Sequence, residues 1–571
     1  MTTEAKAAPK RTFLQSLALF GERRSLVMLG LGFSSGLPYM LIFDTLSAWL
    51  RDAGLSLSVI GLFSLATLSF SFKFLWAPLI DRTKVPFLNK WLGHRRAWIL
   101  VCQLAIVLGL WLISGINPAS SLGLMALVAV AVGFVSATQD IVIDAWRIEV
   151  IDEDGQGALV VAVQWGYRLA MILAGAGPLV MATTFGWNVA YAAMAVAMGI
   201  GIIATLLAPR EREHTVRPIH TDDIRQPPTL VVIEWIIRLG IVAFGALLLG
   251  SGLAGDADLL SKVVGGEALA EAWKAKPNGL WLQLAGVVAG LVVVVLAAWQ
   301  IPGVKTKPGV YMSTALGEPL VQFTKRFSGV AGLILATICL YRVSDFVLNL
   351  MNPFYLDLGF SKLEIAEVRK VLGVIATMVG VFLGGLIVIR FGLMRALIIG
   401  AFAQPISNLV FGWLAVSGHD VPVLIIAICS DNIASGVAGT ALISYMSSLT
   451  STGFTATQYA LFSSLYALPG KLIASQTGRI IEGSAKSAEA GGPLAPLKSL
   501  FNNLPPESLG GAGAKIGVSA QAMGAGYLTF FIYSALIGIV AIILSIAVAI
   551  RQPKVMAAKA AAEREAEAEP A

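Results

Sequence analysis

The chain is poor in the side chains that carry most soluble chemistry. Only 13% of its 571 residues are charged, against about 25% in an ordinary soluble domain, which excludes a water-soluble fold of usual composition. Its four histidines, His94, His214, His220 and His419, fall between the apolar runs without metal-ligand spacing, so no metal centre is expected. Its three cysteines, Cys102, Cys339 and Cys429, each lie inside an apolar run, where a thiol behaves as a small inert hydrophobe. No phosphate-binding Gly-x-x-x-x-Gly-Lys-Ser/Thr stretch is present, which excludes ATP-driven work by this chain. The first apolar run is too long for a signal-peptide core and has no small-residue cleavage site, so no cleavable leader is expected.

What the chain has in quantity is apolar length. Hydrophobic residues make up 57%, glycines number 58, and mean hydropathy is +0.79. Runs long enough to cross a bilayer fall near 26–50, 58–80, 97–116, 122–146, 157–183 and 187–208. Two more follow near 230–253 and 279–301. A second set of six lies near 328–351, 365–389, 394–416, 421–449, 455–478 and 525–550. Open strands leave backbone groups unpaired in lipid, so these runs predict an all-α polytopic membrane protein of about fourteen helices. Its parts are an N-terminal segment at 1–25, a six-helix bundle at 26–208, a linker with two extra helices at 209–326, a second bundle at 327–550 and a solvated tail at 551–571. Within the second bundle, 480–524 is rich in Gly, Pro and Ser and predicts a flexible loop.

Net charge is +7, but the basic residues cluster in short loops, notably Arg23 and Arg24, Lys84 to Arg96, and Arg210 to Arg225. That is the positive-inside pattern, which puts both termini in the cytoplasm and 480–524 in the periplasm. It indicates a lipid bilayer as partner and not nucleic acid.

Nine charges interrupt the apolar runs: Asp44, Lys73, Asp140, Asp144, Arg168, Arg342, Asp345, Asp431 and Lys471. A charge at bilayer depth costs at least ~2.5 kcal/mol on insertion scales, so such residues pair, face a wet cavity, or move ions and polar solutes. At 1.5 Å per residue, Lys73 and Asp140 fall about 10 Å from the cytoplasmic end of their spans, Arg168 about 16 Å, and the charges of the second half with Asp44 about 22–27 Å. Asp140 and Asp144 share a helix face, with Lys73 and Arg168 as depth-matched cations. Arg342 and Asp345 are spaced to pair, which leaves Asp431 for Lys471 and no evident partner for Asp44. The expected proton-coupling set is therefore Asp44, Asp140, Asp144 and Arg168. Lys73, Gln139, Tyr167, Arg342 and Asp345 are expected to contact a solute, with Asn349, Gln404, Asn408, Asp431, Asn432 and Lys471. Gly32-x-x-x-Gly36 and Gly380-x-x-x-Gly384 read as packing seams.

The six-plus-six plan is that of the major facilitator fold, with its solute between two halves. The loop Ala77-Pro78-Leu79-Ile80-Asp81-Arg82 and its counterpart Gly385-Leu386-Ile387-Val388-Ile389-Arg390-Phe391-Gly392 resemble the Gly-x-x-x-Asp-Arg-x-Gly signature of that superfamily. Asp81, Arg82, Arg95, Arg96 and Arg390 are then the expected gating loop. Gly32-Phe33-Ser34-Ser35-Gly36-Leu37-Pro38 and Lys73-Phe74-Leu75-Trp76-Ala77-Pro78 resemble AmpG-type muropeptide permeases. So do Ser136-Ala137-Thr138-Gln139-Asp140-Ile141-Val142-Ile143-Asp144-Ala145-Trp146, Gly166-Tyr167-Arg168-Leu169, Leu340-Tyr341-Arg342-Val343-Ser344-Asp345 and Phe454-Thr455-Ala456-Thr457-Gln458-Tyr459.

The resemblance implies a monomeric, multi-pass symporter of the bacterial inner membrane with no cofactor. It would use the proton gradient to import N-acetylglucosaminyl-1,6-anhydro-N-acetylmuramyl peptides for peptidoglycan recycling, a step linked to β-lactam resistance. Asp44, 209–326 and 480–524 stand outside the resemblance. One alternative keeps the transporter and changes the cargo to another polar anion such as acetyl-CoA. A distant one is a membrane-embedded enzyme acting on lipid-linked sugars, for which the loops hold no catalytic cluster.

Overall fold

Apolar runs become helices throughout the computed structural model, which describes residues 13–55, 68–118, 120–152, 155–211, 219, 221–254, 257–264, 266–275, 279–300, 303–346, 351–474, 477–504 and 508–568. No strand occurs among them. The first half starts with α1 (Arg23–Asp52). The short α2 (Leu68–Phe72) and α3 (Ala77–Arg82) follow, separated by a 3-10 turn at Lys73–Leu75. Next come α4 (His94–Gly115), α5 (Leu122–Glu149), α6 (Gln156–Ala197) and α7 (Gly199–Leu207). As one rod, Gln156–Leu207 would be 52 residues, or about 78 Å, more than twice a bilayer core of about 30 Å. Gly186, at φ +82°, breaks it.

The extra pair is α8 (Pro228–Ala254) and α9 (Gly279–Ala298), packed on each other. Arg238 of α8 ties them together: its guanidinium donates to Glu234 at 2.8 Å and to the carbonyls of Ala297 and Trp299 at 2.5 and 2.9 Å, capping the end of α9. The basic stretch 305–326, which lies between two of the apolar runs, is helical as α10 (Lys307–Arg326). Thr306 accepts from the Gly309 amide at 3.1 Å, Pro308 sits in the first turn, and Lys325 and Arg326 face the negative pole of the last turn. α10 turns by 110° into the next segment, Ala331–Asp345.

The second half comprises α11 (Ala331–Leu340), α12 (Met351–Asp357), α13 (Gly373–Phe391), α14 (Leu393–Ser417), α15 (Val421–Ser448) and α16 (Thr455–Ala474). After these come α17 (Thr477–Glu489), α18 (Gly510–Ile516) and α19 (Ala520–Ala568). Among the described residues ten helices are long and apolar enough to cross a membrane, eleven if the bent pair is one span. The sequence predicts about fourteen. The numbers differ partly because Gln156–Leu207 holds two of the expected spans, broken at Gly186 but counted as one, and the second expected span, 58–80, lies partly outside the described residues.

One local expectation gives way. The stretch 480–524 is folded: Ile481, Ala485 and Ala488 lie on one face of α17 and pack with Phe501, Leu509 and Ala512 over α19. The Leu509 amide donates to the Asp357 carbonyl at 2.6 Å, and Tyr527 donates to the Asp357 carboxylate at 2.5 Å. The tail continues α19, where Tyr445 donates to Gln552 at 2.8 Å and Lys559 to the Lys325 carbonyl at 2.9 Å. Helix α1 also passes Pro38 without stopping and widens only afterwards, into a π turn at Leu41–Thr45.

Glycine sets the register of α1 on α6. A Cβ on Gly32 would lie 2.2 Å from the Val163 carbonyl oxygen, and one on Gly166 would lie 2.0 Å from that of Leu29. Backbones this close hold α1 in place, so that Ser35 and Tyr39 share one cavity with Tyr167 and Arg168 of α6.

Candidate functional site

Both halves wall a polar cavity of about 500 Å³. The first half supplies Ser35, Tyr39, Lys73, Asp140, Asp144 and Arg168. From the second come Arg342, Met446, Tyr459 and Tyr466. The two acids of α5 are held differently. Asp140 accepts from the Ser35 hydroxyl. Asp144 accepts from Arg147 at 3.3 Å and lies 4.0 Å from the Lys73 ammonium. Arg168 is an expected cation for these two acids, yet among the described residues no carboxylate lies within 4.0 Å of it. Beside this charge cluster stands an aromatic wall: Tyr39 lies 4.7 Å from Phe43, 5.3 Å from Phe70 and 6.2 Å from Tyr167 between ring centroids.

The second half carries its own polar network. Arg342 pairs with Asp345 and donates to Ser435 at 2.6 Å. Its Nε is buried and has no hydrogen-bond partner among the described residues. Gln404 donates to Asp345 at 3.3 Å and to Asp431 at 3.2 Å, and Ser407 donates to Asp431 at 3.4 Å. One amide thus bridges two carboxylates that repel each other. Asn432 accepts from Thr377 at 2.8 Å.

Not every expected site residue joins these groups. Gln139 is buried and donates to the Ser34 carbonyl at 2.9 Å; Asn408 is buried and donates to the Ser344 carbonyl and the Ser534 hydroxyl, both at 3.2 Å. Each joins neighbouring helices and neither walls the cavity. Asp44 is exposed in the π turn, outside the cavity wall, with no hydrogen bond or ion pair among the described residues. Asn349 lies outside the described residues, as does the side chain of Lys471, whose backbone is part of α16.

At one end the halves are latched. Asp81, 1% exposed, accepts from Arg95 at 2.7 Å. Its carboxylate also accepts from the Thr457 hydroxyl at 2.7 Å, the Thr457 amide at 2.9 Å and the Ala456 amide at 3.3 Å. An acid of the first half thereby caps α16 of the second, where free amides and the helix dipole attract negative charge. Arg95 is also held by Glu149 at 2.7 Å, and Arg82 pairs with Glu318 of α10 at 2.8 Å. Arg96 donates to the carbonyls of Leu92 and Ala208, both at 2.6 Å.

Further ties cross between the halves. Arg147 donates to Ser447 at 3.0 Å, Gln164 to Thr440 at 3.2 Å, and Trp165 to the Met378 carbonyl at 3.0 Å. A Cβ on Gly157 would lie 2.7 Å from the Gly385 carbonyl oxygen, so α6 and α13 meet backbone to backbone. Arg390, the expected counterpart of Arg82, is exposed and lies over its neighbour Phe391 at 6.0 Å.

Sequence reasoning missed Ser35, Glu149 and Thr457 as partners. For Thr457 a signal existed: Thr455 and Thr457 follow Gly453 and open an apolar helical run, the pattern of a helix start. Ser35 and Glu149 gave none, because their partners are distant in sequence.

Comparison with known proteins fits this geometry. The profile of the Major Facilitator Superfamily matches residues 25–473. The anhydromuropeptide permease of Escherichia coli K12 is 30% identical over 82% of this chain and 76% of its own length. The transporter AmpG 4 of Rickettsia felis is 29% identical over 81% of this chain and 91% of its own. The solved structure of the proton:xylose symporter XylE, bound to 6-bromo-6-deoxy-D-glucose, has a TM-score of 0.50 at 12% identity, covering 91% of this chain and 95% of that one, a likeness of fold alone. Two helical halves, a polar cavity between them and a family match across both make this multi-pass membrane protein a member of the Major Facilitator Superfamily, among its AmpG-type permeases.

Proposed function

We propose that this chain imports anhydromuropeptides across the bacterial inner membrane together with protons. The observation that carries this reading is the under-compensated positive charge of the cavity. Among the described residues, Arg168 has no carboxylate within 4.0 Å and Arg342 keeps a buried N–H without a partner. Guanidinium forks match carboxylates, and a peptide attached to a muramyl sugar ends in one. The wall of Tyr39 and Tyr167 offers apolar ring surface for the sugars. The E. coli relative is an anhydromuropeptide permease by name, which supports the same cargo.

Asp140 is the acid that takes the proton in this reading. Its hydrogen-bond partner is a hydroxyl, whereas Asp144 has two cations at hand. Protonated Asp140 no longer draws on Lys73, which is then free to move onto Asp144. That weakens the hold of Asp144 on Arg147, and Arg147 is one of the residues bonded across to the second half. A proton arriving in the cavity would thereby bear on Arg147, a tie between the halves separate from the Asp81 latch.

Uptake of labelled anhydromuropeptide into proteoliposomes, with and without an imposed pH gradient, tests both parts. Gradient-dependent uptake that falls sharply in Arg168→Gln is expected. Uptake indifferent to the gradient removes the coupling, and absence of uptake removes the cargo.

A further inference from the structure

The extra pair α8–α9 stands off from the two bundles and leaves an apolar chamber of about 710 Å³. Leu291, Val294 and Val295 of α9 form one wall. Phe74 and Leu75 before α3, with Leu461 of α16, form the opposite one, and Leu320 and Val321 of α10 close it. The wall from α9 belongs to the membrane span Trp281–Ala298, so the chamber reaches hydrocarbon depth. Water finds too few polar partners there to be held. Leu291 and Val295 are exposed along the chamber, so it opens towards the surrounding hydrocarbon. Its volume falls in the range of about 300–1,000 Å³ typical of ligand sites.

One part of the chamber is polar. Gln300, just past α9, donates to Ser313 of α10 at 2.8 Å, and both line the wall. The connection between these two residues carries Lys305 and Lys307. An apolar interior beside a basic connection fits an amphiphile with a long tail and an anionic head.

We propose that the chamber holds one acyl chain of an anionic phospholipid from the surrounding leaflet, with its phosphate at Lys305 and Lys307. The site also touches the latch. Thr457 is part of the wall, and its hydroxyl holds Asp81. Glu318, the partner of Arg82, lies between the wall residues Gly317 and Pro319. A seated chain therefore supports α10 and α16 where the two halves lock, so the lipid favours the latched state.

The test uses the full chain reconstituted in vesicles of phosphatidylglycerol and phosphatidylcholine in equal parts, extracted into detergent and read by native mass spectrometry. The unaltered protein is expected to retain phosphatidylglycerol in preference. Leu291→Trp combined with Val295→Trp fills the chamber and is expected to lose the retained lipid. Lys305→Gln combined with Lys307→Gln leaves the chamber open and is expected to lower the preference for phosphatidylglycerol by roughly fivefold per lysine. Equal retention of both lipids by the unaltered protein overturns the proposal, as does undiminished preference in the lysine variant. If the filled variant does not fold, the lysine variant alone decides.

Discussion

Thr457→Val removes one bond across the latch and little else. Valine matches threonine in shape, so α16 keeps its packing, and the Thr457 amide can still reach Asp81 from 2.9 Å. What disappears is the hydroxyl donated at 2.7 Å to a carboxylate that is 1% exposed. A hydrogen bond to a buried charged group contributes about 1.5–3 kcal/mol. Taking about 2 kcal/mol, the ratio of latched to open molecules falls roughly 30-fold. Spin labels on cysteines replacing Lys84 and Thr452, both exposed and on opposite halves, report the separation at this end by pulsed electron resonance. A new, longer distance population is expected in Thr457→Val. A double-mutant cycle with Asp81→Asn should be strongly non-additive, because both changes act on the same bond. An unchanged distance distribution, or two substitutions that simply add, refutes the latch as described.

Gly157→Val sets a branched side chain where a Cβ alone would lie 2.7 Å from the Gly385 carbonyl oxygen; distance measurements between α6 and α13 should show them held apart, with uptake slowed. Asp140→Asn should abolish gradient-driven uptake while cargo exchange across vesicles at equal pH persists, and loss of both would remove its assignment as the proton carrier. Burial raises the Asp357 carboxyl above its ordinary 3.8, partly offset by the Tyr527 hydroxyl and Lys515. A raised acid holds its proton more tightly when the folded segment is seated, so seating strengthens as pH falls through the raised value toward 3.8 and weakens as pH rises past it. Amide exchange of Thr477–Glu489, corrected for intrinsic rates, should slow on acidification in the unaltered protein and lose that dependence in Asp357→Asn.

The helices were legible because the apolar runs are long, and the two-half plan because the runs come in sixes. Arg342 with Asp345 was legible because three residues along a helix place two side chains together. Pairing between helices was not. Depth alone matched Asp140 and Asp144 to Lys73 and Arg168, but depth says nothing of the rotation of one helix against another. The close backbone contacts at Gly32 and Gly166 that place α1 on α6 are likewise invisible to depth. Gln139 and Asn408 were misplaced for the same reason: a polar residue on a membrane helix faces either a cavity or a neighbouring helix, and one chain's spacing does not separate the two. The fold of 480–524 was hidden by its Gly and Pro content, although the spacing of Ile481, Ala485 and Ala488 carried the helical signal.

The extra pair touches both sides of the moving boundary through hydrocarbon surfaces. Phe72 of α2 packs with Leu249, Val287 and Val294, and α8 also meets α16. Its polar ties run within the pair, from Arg238 to Glu234 and the end of α9, and to the start of α10, where Thr306 donates to Glu234 at 2.6 Å and Gln300 to Ser313 at 2.8 Å. When the bundles rock, greasy side chains can slide past one another without a hydrogen bond having to break and reform. The pair can then ride on the machine as a bearing does on a shaft, adding bulk and a seal at little cost to speed.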